Sequence, residues 1–354
     1  MRKNILAITL LAALSFNALA QEEAETGVLA DQVKKLEERS EKLEKIVSKL
    51  PTISGFLQAG YDADFGENFG TNKKDVTNTF HIRRARLKLN GNIGKKIDYT
   101  LQADFANTPK VVDVFMRFKP WKQFNIQIGQ FKHPFSIESP TYLPKNIEAI
   151  NNSMGAVNLV QKYGLTDGQT GRQIGINLYG GFIQKEGYSI INYDLGVYNG
   201  NGINKKDDNN AKDISGRLTI MPIKDLKISA SYYWGKYGKN KARYERYAGG
   251  FAYDKPEGLI IRSEYIGGNT AGQYSHSAYA VVGYHIGPKW TAFWQYDFYQ
   301  ADVKDEKSQK TNLVIGAAWQ PLKYLRAQVN YYNTQNYNFT KNSNHVAVLV
   351  TGIF

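Results

Sequence analysis

From Ile53 to Phe354 apolar and polar residues alternate with a period of two, in segments of about 10 to 14 residues rich in Tyr, Phe, Val and Ile. Gly, Asn, Asp, Lys and Pro separate the segments. Sixteen are predicted, at 53–65, 79–93, 97–106, 111–120, 124–136, 172–183, 188–200, 212–223, 226–237, 241–254, 258–269, 275–286, 289–303, 310–322, 325–335 and 345–354. Successive side chains on a strand point to opposite faces, so Ile228, Ala230, Tyr232 and Trp234 share one face while Ser229, Ser231 and Tyr233 share the other. Leu325, Ala327, Val329 and Tyr331 against Arg326, Gln328 and Asn330 repeat the pattern, which places the polar side in an interior. Aromatic residues such as Trp290, Trp294 and Tyr296 collect near strand ends, as amphipathic rings do at headgroup depth.

The connectors also alternate. Every second one is tight, as at Gly94–Lys96, Trp121–Gln123, Pro222–Asp225, Gly287–Pro288 and Lys323–Tyr324. Most of the others are longer and polar, as at Gly66–Asn78, Asn201–Ala211 and Asn336–Asn344. Short turns at one end and long loops at the other are the signature of a membrane barrel, and an even strand number returns both termini to the short-turn side. A soluble sandwich has no reason to alternate in this way. The chain ends with a strand of alternating valines, Val346, Val348 and Val350, and an aromatic carboxyl-terminal residue, Phe354. This resembles the terminal strand that outer-membrane assembly machinery recognises, with Gly352 smaller than usual.

The period changes before Pro51. Leu29, Val33, Leu36, Ser40, Leu43, Val47 and Leu50 occupy a and d positions of three heptads, with Glu, Lys and Arg between them. The spacing predicts a short periplasmic coiled coil over residues 21–51, marginal alone and dependent on chains held together elsewhere; a single amphipathic helix packed on the barrel mouth is the alternative. Proline lacks the backbone donor that would continue the helix. Arg2 and Lys3, the apolar run Ile5–Leu14 and the small residues Ala18 and Ala20 predict a signal peptide over residues 1–20, too short for a membrane span.

Composition sharpens the picture in two places. The 354 residues contain no cysteine, so an exported chain of this length has no disulfides to hold it, and a closed barrel needs none. The formal net charge is +13. Residues 21–50 carry more acid than base, so the basic excess lies in the strand region. Such an excess suits nucleic acid, an anionic membrane surface or small anions, and export argues against nucleic acid.

Sixteen strands enclose a lumen wide enough for water, so selection requires something folded inside. Residues 137–171 form much the longest connector and are predicted to dip into the lumen as a constriction; an exposed surface loop is the alternative. In the second strand Arg84, Arg86 and Lys88 share one parity and Ala85, Leu87 and Leu89 the other. Charge on the lipid face costs about 2–4 kcal/mol at mid-membrane, so the basic parity faces the pore. Arg83 has lipid parity and must lie above the hydrocarbon or beside a bulge. Arg117 and Lys119 on the fourth strand extend the basic wall, with Asp113 nearby. In the fifth strand Gln130 and Lys132 take the outward parity, which predicts a bulge there that turns Lys132 inward. Such bases select anions and bind phosphate, arginine through a two-pronged fork. They could equally balance Asp98, Asp104, Asp113 and Glu138 in the transverse field of a general pore.

Phe80–Leu87 (FHIRRARL), Asp98–Ala106 (DYTLQADFA), Val112–Trp121 (VDVFMRFKPW) and Ile128–Glu138 (IGQFKHPFSIE) resemble the phosphate-selective porin O and P family of trimeric sixteen-stranded channels. The resemblance is specific over residues 80–138 and looser to Phe354. It implies a central anion site on Arg83, Arg84 and Lys132, with Ser136 and an acidic partner at Asp104. The chain departs from the family's arginine-rich path in having ten arginines after residue 50 and only Lys145 and Lys162 as bases in the long loop before Arg172.

No glycine-rich phosphate loop, nucleotide fingerprint or histidine metal spacing occurs, and no cofactor is expected. His133 and Ser136 lack a third residue to complete a hydrolase triad, so no enzyme is expected. The expectation is an all-β protein, a transmembrane antiparallel barrel of sixteen strands over residues 52–354 behind a short helical segment. It should lie in outer-membrane lipid as a homotrimer and pass small anions such as phosphate through a constriction at Arg83, Arg84, Arg86, Asp104, Arg117, Lys132 and Ser136. A general or sugar-accepting pore is the second reading, and a structural or adhesive outer-membrane protein the third.

Overall fold

A computed structural model of the chain describes residues 24–47, 50–67, 77–162, 170–339 and 341–354. The expected signal peptide lies outside them. Contacts divide the chain into two units, Met1–Leu50 and Pro51–Phe354. The first contains one helix, α1 (Ala24–Val47), whose Val33, Leu36, Leu43 and Val47 are exposed.

The second unit is a closed antiparallel barrel in which every strand pairs with its sequence neighbours and β1 pairs with β16. The strands are β1 (Thr52–Glu67), β2 (Thr77–Ile93), β3 (Ile97–Asp104), β4 (Lys110–Phe118), β5 (Asn125–Lys132), β6 (Arg172–Lys185), β7 (Tyr188–Tyr198) and β8 (Asp213–Ile220). The second half comprises β9 (Leu226–Tyr237), β10 (Ala242–Asp254), β11 (Leu259–Thr270), β12 (Gln273–Ile286), β13 (Trp290–Gln300), β14 (Gln309–Leu322), β15 (Leu325–Asn336) and β16 (Asn342–Ile353). Strand number and connector order follow the sequence pattern. Two connectors on the long-loop side, 238–241 and 271–272, are as tight as those on the opposite side.

Closure joins the main chains of β1 and β16. Gly55 N–H donates to the Phe354 carbonyl at 2.8 Å and Phe354 N–H to the Gly55 carbonyl at 3.1 Å. A Cβ built on Gly55 would lie 2.2 Å from the Arg86 carbonyl and 2.5 Å from the Phe354 ring, whereas one on Gly352 meets nothing within 4 Å. Overpacking of this kind costs roughly 1–3 kcal/mol or more. Gly55→Val should therefore lower the yield of heat-resistant folded barrel on semi-native gels, while Gly352→Val should match the parent; equal yields would remove the seam's dependence on Gly55.

Two register shifts shape the wall near the basic residues. On β2, Arg84 pairs with Gln58 and Ile82 with Ala59, which leaves Arg83 as the extra residue of a β-bulge. On β4, Asp113 pairs with Gln102 and Val111 with Ala103, so Val112 is the extra residue. The bulge expected on β5 is absent, and β5 pairs with β6 without a shift from Asn125 to Lys132. Strand β5 also ends at Lys132, four residues earlier than expected. The irregularity is supplied by Val112 and by Gly129, whose φ of 131° suits glycine. Gln130 then donates to the Val111 and Val112 carbonyls, groups that the bulge leaves unpaired.

The connector after β5 folds into the lumen. It contains a short helix, α2 (Glu138–Thr141), and a π-helical turn at Ala156–Gln161. Ala149 and Ile150 pack on Ile260, Tyr279, Val281, Phe293, Val314, Tyr332, Ala347 and Leu349, all inward-facing wall residues. Phe135, Leu159 and Val160 pack on Tyr233, Tyr244, Ala248 and Ile266. The interior is therefore not polar throughout: beneath the loop, the inner wall of β9–β16 presents apolar residues such as Tyr233, Ile260, Val281 and Leu349 among its polar ones.

Candidate functional site

The bulge at Arg83 puts two consecutive arginines on the inner side of β2. Arg83 Nη2 donates to the Ile150 carbonyl at 3.0 Å and to Asn151 Oδ1 at 2.7 Å, both on the inward loop. Arg84 Nη1 donates to Gln58 Oε1 at 2.9 Å. Gln58, fully buried, turns its amide to the Pro144 carbonyl at 3.2 Å, so wall and loop are joined beside Arg84. One turn of the pleat further, Arg86 Nε meets Asp104 Oδ2 at 2.8 Å. Asp104 also accepts from the Ala85 and Ala106 main chains.

Lys132 closes this group from β5. Its Nζ donates to the Ser139 carbonyl, and it lies within electrostatic reach of Arg84, Arg86 and Arg172. Arg172 was not legible as a site residue. It is the cross-strand partner of Lys132, a relation that spans the whole loop and exists only once β5 and β6 pair. Its guanidinium forks onto Asp113 at 2.8 and 3.0 Å. Arg117 sits lower on β4, bound to Asp98 at 2.6 Å beside Lys119. Ser136 is across the lumen, where its hydroxyl donates to Glu264 Oε2 at 2.8 Å. The structure thus gathers Arg84, Arg86, Lys132 and Arg172, with Arg83 and Asp104 beside them, and places Arg117 and Ser136 apart.

Partnering decides what each base offers an ion. Of the ten arginines after residue 50, Arg86, Arg117, Arg172, Arg217, Arg243 and Arg262 bind carboxylates. Arg83, Arg246 and Arg326 donate to loop carbonyls, as in Arg246 to Leu159 and Arg326 to Lys145 and Ile147. Only Arg84 has neither a carboxylate nor a loop carbonyl among the described residues, its one bond going to the neutral Gln58 amide. Lys88, on the same face two pleats from Arg84, and Lys145 on the loop have no ion-pair partner among the described residues, and the two lie close enough to repel. Lys88 was placed in the pore by parity. The place of Lys145 depends on where the loop lands: its carbonyl accepts from Arg326 on β15 at 3.0 Å, and its charge comes within reach of Lys88.

His133 adds no charge. Its ring is enclosed by Phe135, Tyr198 and Tyr233, and burial lowers it to about 4, so it is neutral near pH 7. On the short-turn side of the loop a cavity of about 570 Å³ is lined by Lys122, Tyr179, Asp194, Arg217 and Lys227. Among the described residues no group of three His, Cys, Asp or Glu side chains is placed to hold a metal, and no helix is long and apolar enough to cross a membrane.

Residues 56–247, more than half of the chain, match the family described as phosphate-selective porin O and P. No curated protein matches the chain in sequence. Among solved structures, an anion-selective porin from Comamonas acidovorans superposes with a TM-score of 0.65 at 13% identity, covering 86% of this chain and 99% of that one. The outer membrane channel DcaP of Acinetobacter baumannii gives 0.61 at 13% identity, covering 86% and 97%. The in-vitro folded outer membrane protein OmpT of Vibrio cholerae, in its trimer form, gives 0.57 at 12% identity, covering 86% and 100%. At these identities the likeness is one of fold. The chain is an outer-membrane β-barrel channel, and it belongs to the phosphate-selective porin O and P family.

Proposed function

We propose that the chain forms a homotrimeric pore for passive diffusion of small anions, phosphate among them, past a basic constriction between β2 and the inward loop. The observation that carries the reading is the uncompensated charge of Arg84, Lys88 and Lys145 on facing surfaces. Cations that are bound to no carboxylate favour an anion and oppose a cation. Arg83 and Lys132 spend their donors on the loop and contribute field rather than a fork. Release remains fast because no cage of arginines closes on the ion.

The trimer is supported by OmpT's trimer form and by the heptads of α1, which could join three chains only where the barrels already hold them together. Export through residues 1–20 and delivery to the assembly machinery through Phe354 complete the reading. A general diffusion pore is the second reading, favoured by one specific observation: four pore-side arginines, Arg86, Arg117, Arg172 and Arg217, already face carboxylates.

The test is the reversal potential of the purified pore in planar bilayers under a KCl gradient, with phosphate titrated in. Anion-favouring current that phosphate blocks, and blocks less in Arg84→Ala with Lys132→Ala, is expected. Large, nearly unselective current indifferent to phosphate and to both substitutions would leave the general pore.

A further inference from the structure

The wall opposite β2 holds the loop by acids. Glu264 on β11 accepts from Ile137 N–H at 2.7 Å as well as from Ser136. Asp297 on β13 accepts from Met154 N–H at 2.6 Å. Glu138, on the loop itself, accepts from Ser153 N–H at 2.9 Å. The three carboxyls are 2%, 1% and 3% exposed, respectively, and none has a basic partner among the described residues. Arg262, whose charge reaches Glu138, is already forked onto Glu148 at 2.8 and 3.3 Å and lies 3.7 Å above the Tyr142 ring.

Satisfying main-chain donors does not account for all their oxygens. Glu138 Oε2, Asp297 Oδ1 and Tyr279 Oη are buried without a hydrogen-bond partner. Glu138 lies within electrostatic reach of Glu264, Tyr279 and Asp297. A buried carboxylate among further carboxyls, Glu148 included, whose one guanidinium within reach is already committed to Glu148, is costly, and a proton removes the cost. Burial raises Glu138 above the ordinary carboxyl range, against the pull of its Ser153 bond and of Arg262.

We propose that Glu138 acts through its proton as the pin that positions the inward loop, with Glu264 and Asp297 as positioning residues on the wall. Ionisation of Glu138 adds a buried charge within reach of Glu264, Asp297 and Glu148 and drives residues 136–154 off β11 and β13, so a proton sets the width of the pore. The sign follows from the shift. The latched state holds the proton, so latching is complete at acid pH and is lost as pH rises through the raised Glu138 value. In that window the released-to-latched ratio grows by up to about tenfold per pH unit. The device acts on pore width whichever ion passes, so it stands or falls separately from anion selection.

Single-channel conductance in symmetrical KCl, stepped from about pH 6 to about pH 10, tests it on the native trimer and on Glu138→Gln, which keeps an acceptor for Ser153 but cannot ionise. The native pore should pass from one steady level to a larger, noisier one as pH rises. Glu138→Gln should show the native level at the acid end and no transition, while lysine and tyrosine titration affects both alike. Glu264→Gln, which keeps acceptors for Ile137 and Ser136 but removes one of the carboxyls that repel ionised Glu138, should move the transition to higher pH. A flat native profile, or the same transition in Glu138→Gln, would overturn the proposal. Abolition of the native transition by millimolar Ca²⁺ would also overturn it, since a cation and not a proton would then be the pin.

Discussion

Arg262→Ala is expected to destabilise the barrel by about 3–5 kcal/mol and to enlarge the pore, because it leaves Glu148 buried without its counter-ion. Arg262 and Glu148 are 1% and 4% exposed, and their fork ties the middle of the inward loop to β11. Taking two charges out of water costs nearly as much as their attraction returns, so the pair contributes little net stability while either member alone is a large liability. The expected order of melting temperatures in detergent is therefore native and Arg262→Met with Glu148→Met close together, and Arg262→Ala well below both. Conductance should rise in Arg262→Ala, since the loop loses the anchor between its contacts at Ile137 and Ile150. A single substitution that melts like the native protein would show that the ion pair is solvated and that the loop is held elsewhere.

The second large effect is on selectivity. Arg84→Glu with Lys88→Glu should reverse the sign of the zero-current potential under a KCl gradient, from anion-favouring to cation-favouring. Each reversal changes the local charge by two units, and at a few ångströms and an intermediate dielectric constant a unit charge shifts an ion's energy by roughly 1–4 kcal/mol. That is about a factor of ten or more in local concentration, enough to outweigh Lys145 and Lys132. The same reversal at Arg86 with Arg117 should do less to selectivity and more to folding, because each would face a buried carboxylate, Asp104 or Asp98. Equal selectivity shifts from both pairs would contradict the distinction between paired and unpaired bases. That distinction was not legible in the sequence. Parity puts Arg84, Arg86 and Lys88 in one lumen, but whether each meets an acid depends on the registers of β2 with β3 and of β3 with β4.

Part of the apolar inner wall is legible in the sequence. In β12 and β16 both parities are apolar, as in Ala278, Tyr279, Ala280, Val281 and Val282, or Val346, Ala347, Val348, Leu349 and Val350. A strand between lipid and water has no use for a second apolar face, so such runs mark where something packs inside. Strands β2 and β9 alternate cleanly where the inner face is left to polar groups.

The sequence by itself determined the barrel: strand count, the sides on which turns and long loops fall, the outward face and the position of the inward loop. These follow from local rules, a period of two and the cost of charge or unpaired backbone in lipid, which act residue by residue. Tertiary structure decided the site. Arg172 beside Lys132, Lys145 opposite Lys88, Arg83 turned inward by a bulge and Ser136 committed to Glu264 all depend on strand registers or on where a 39-residue connector, 133–171, comes to rest. Such contacts join residues far apart in the chain, and their energies come from mutual desolvation and pairing, which no local pattern of residue types encodes.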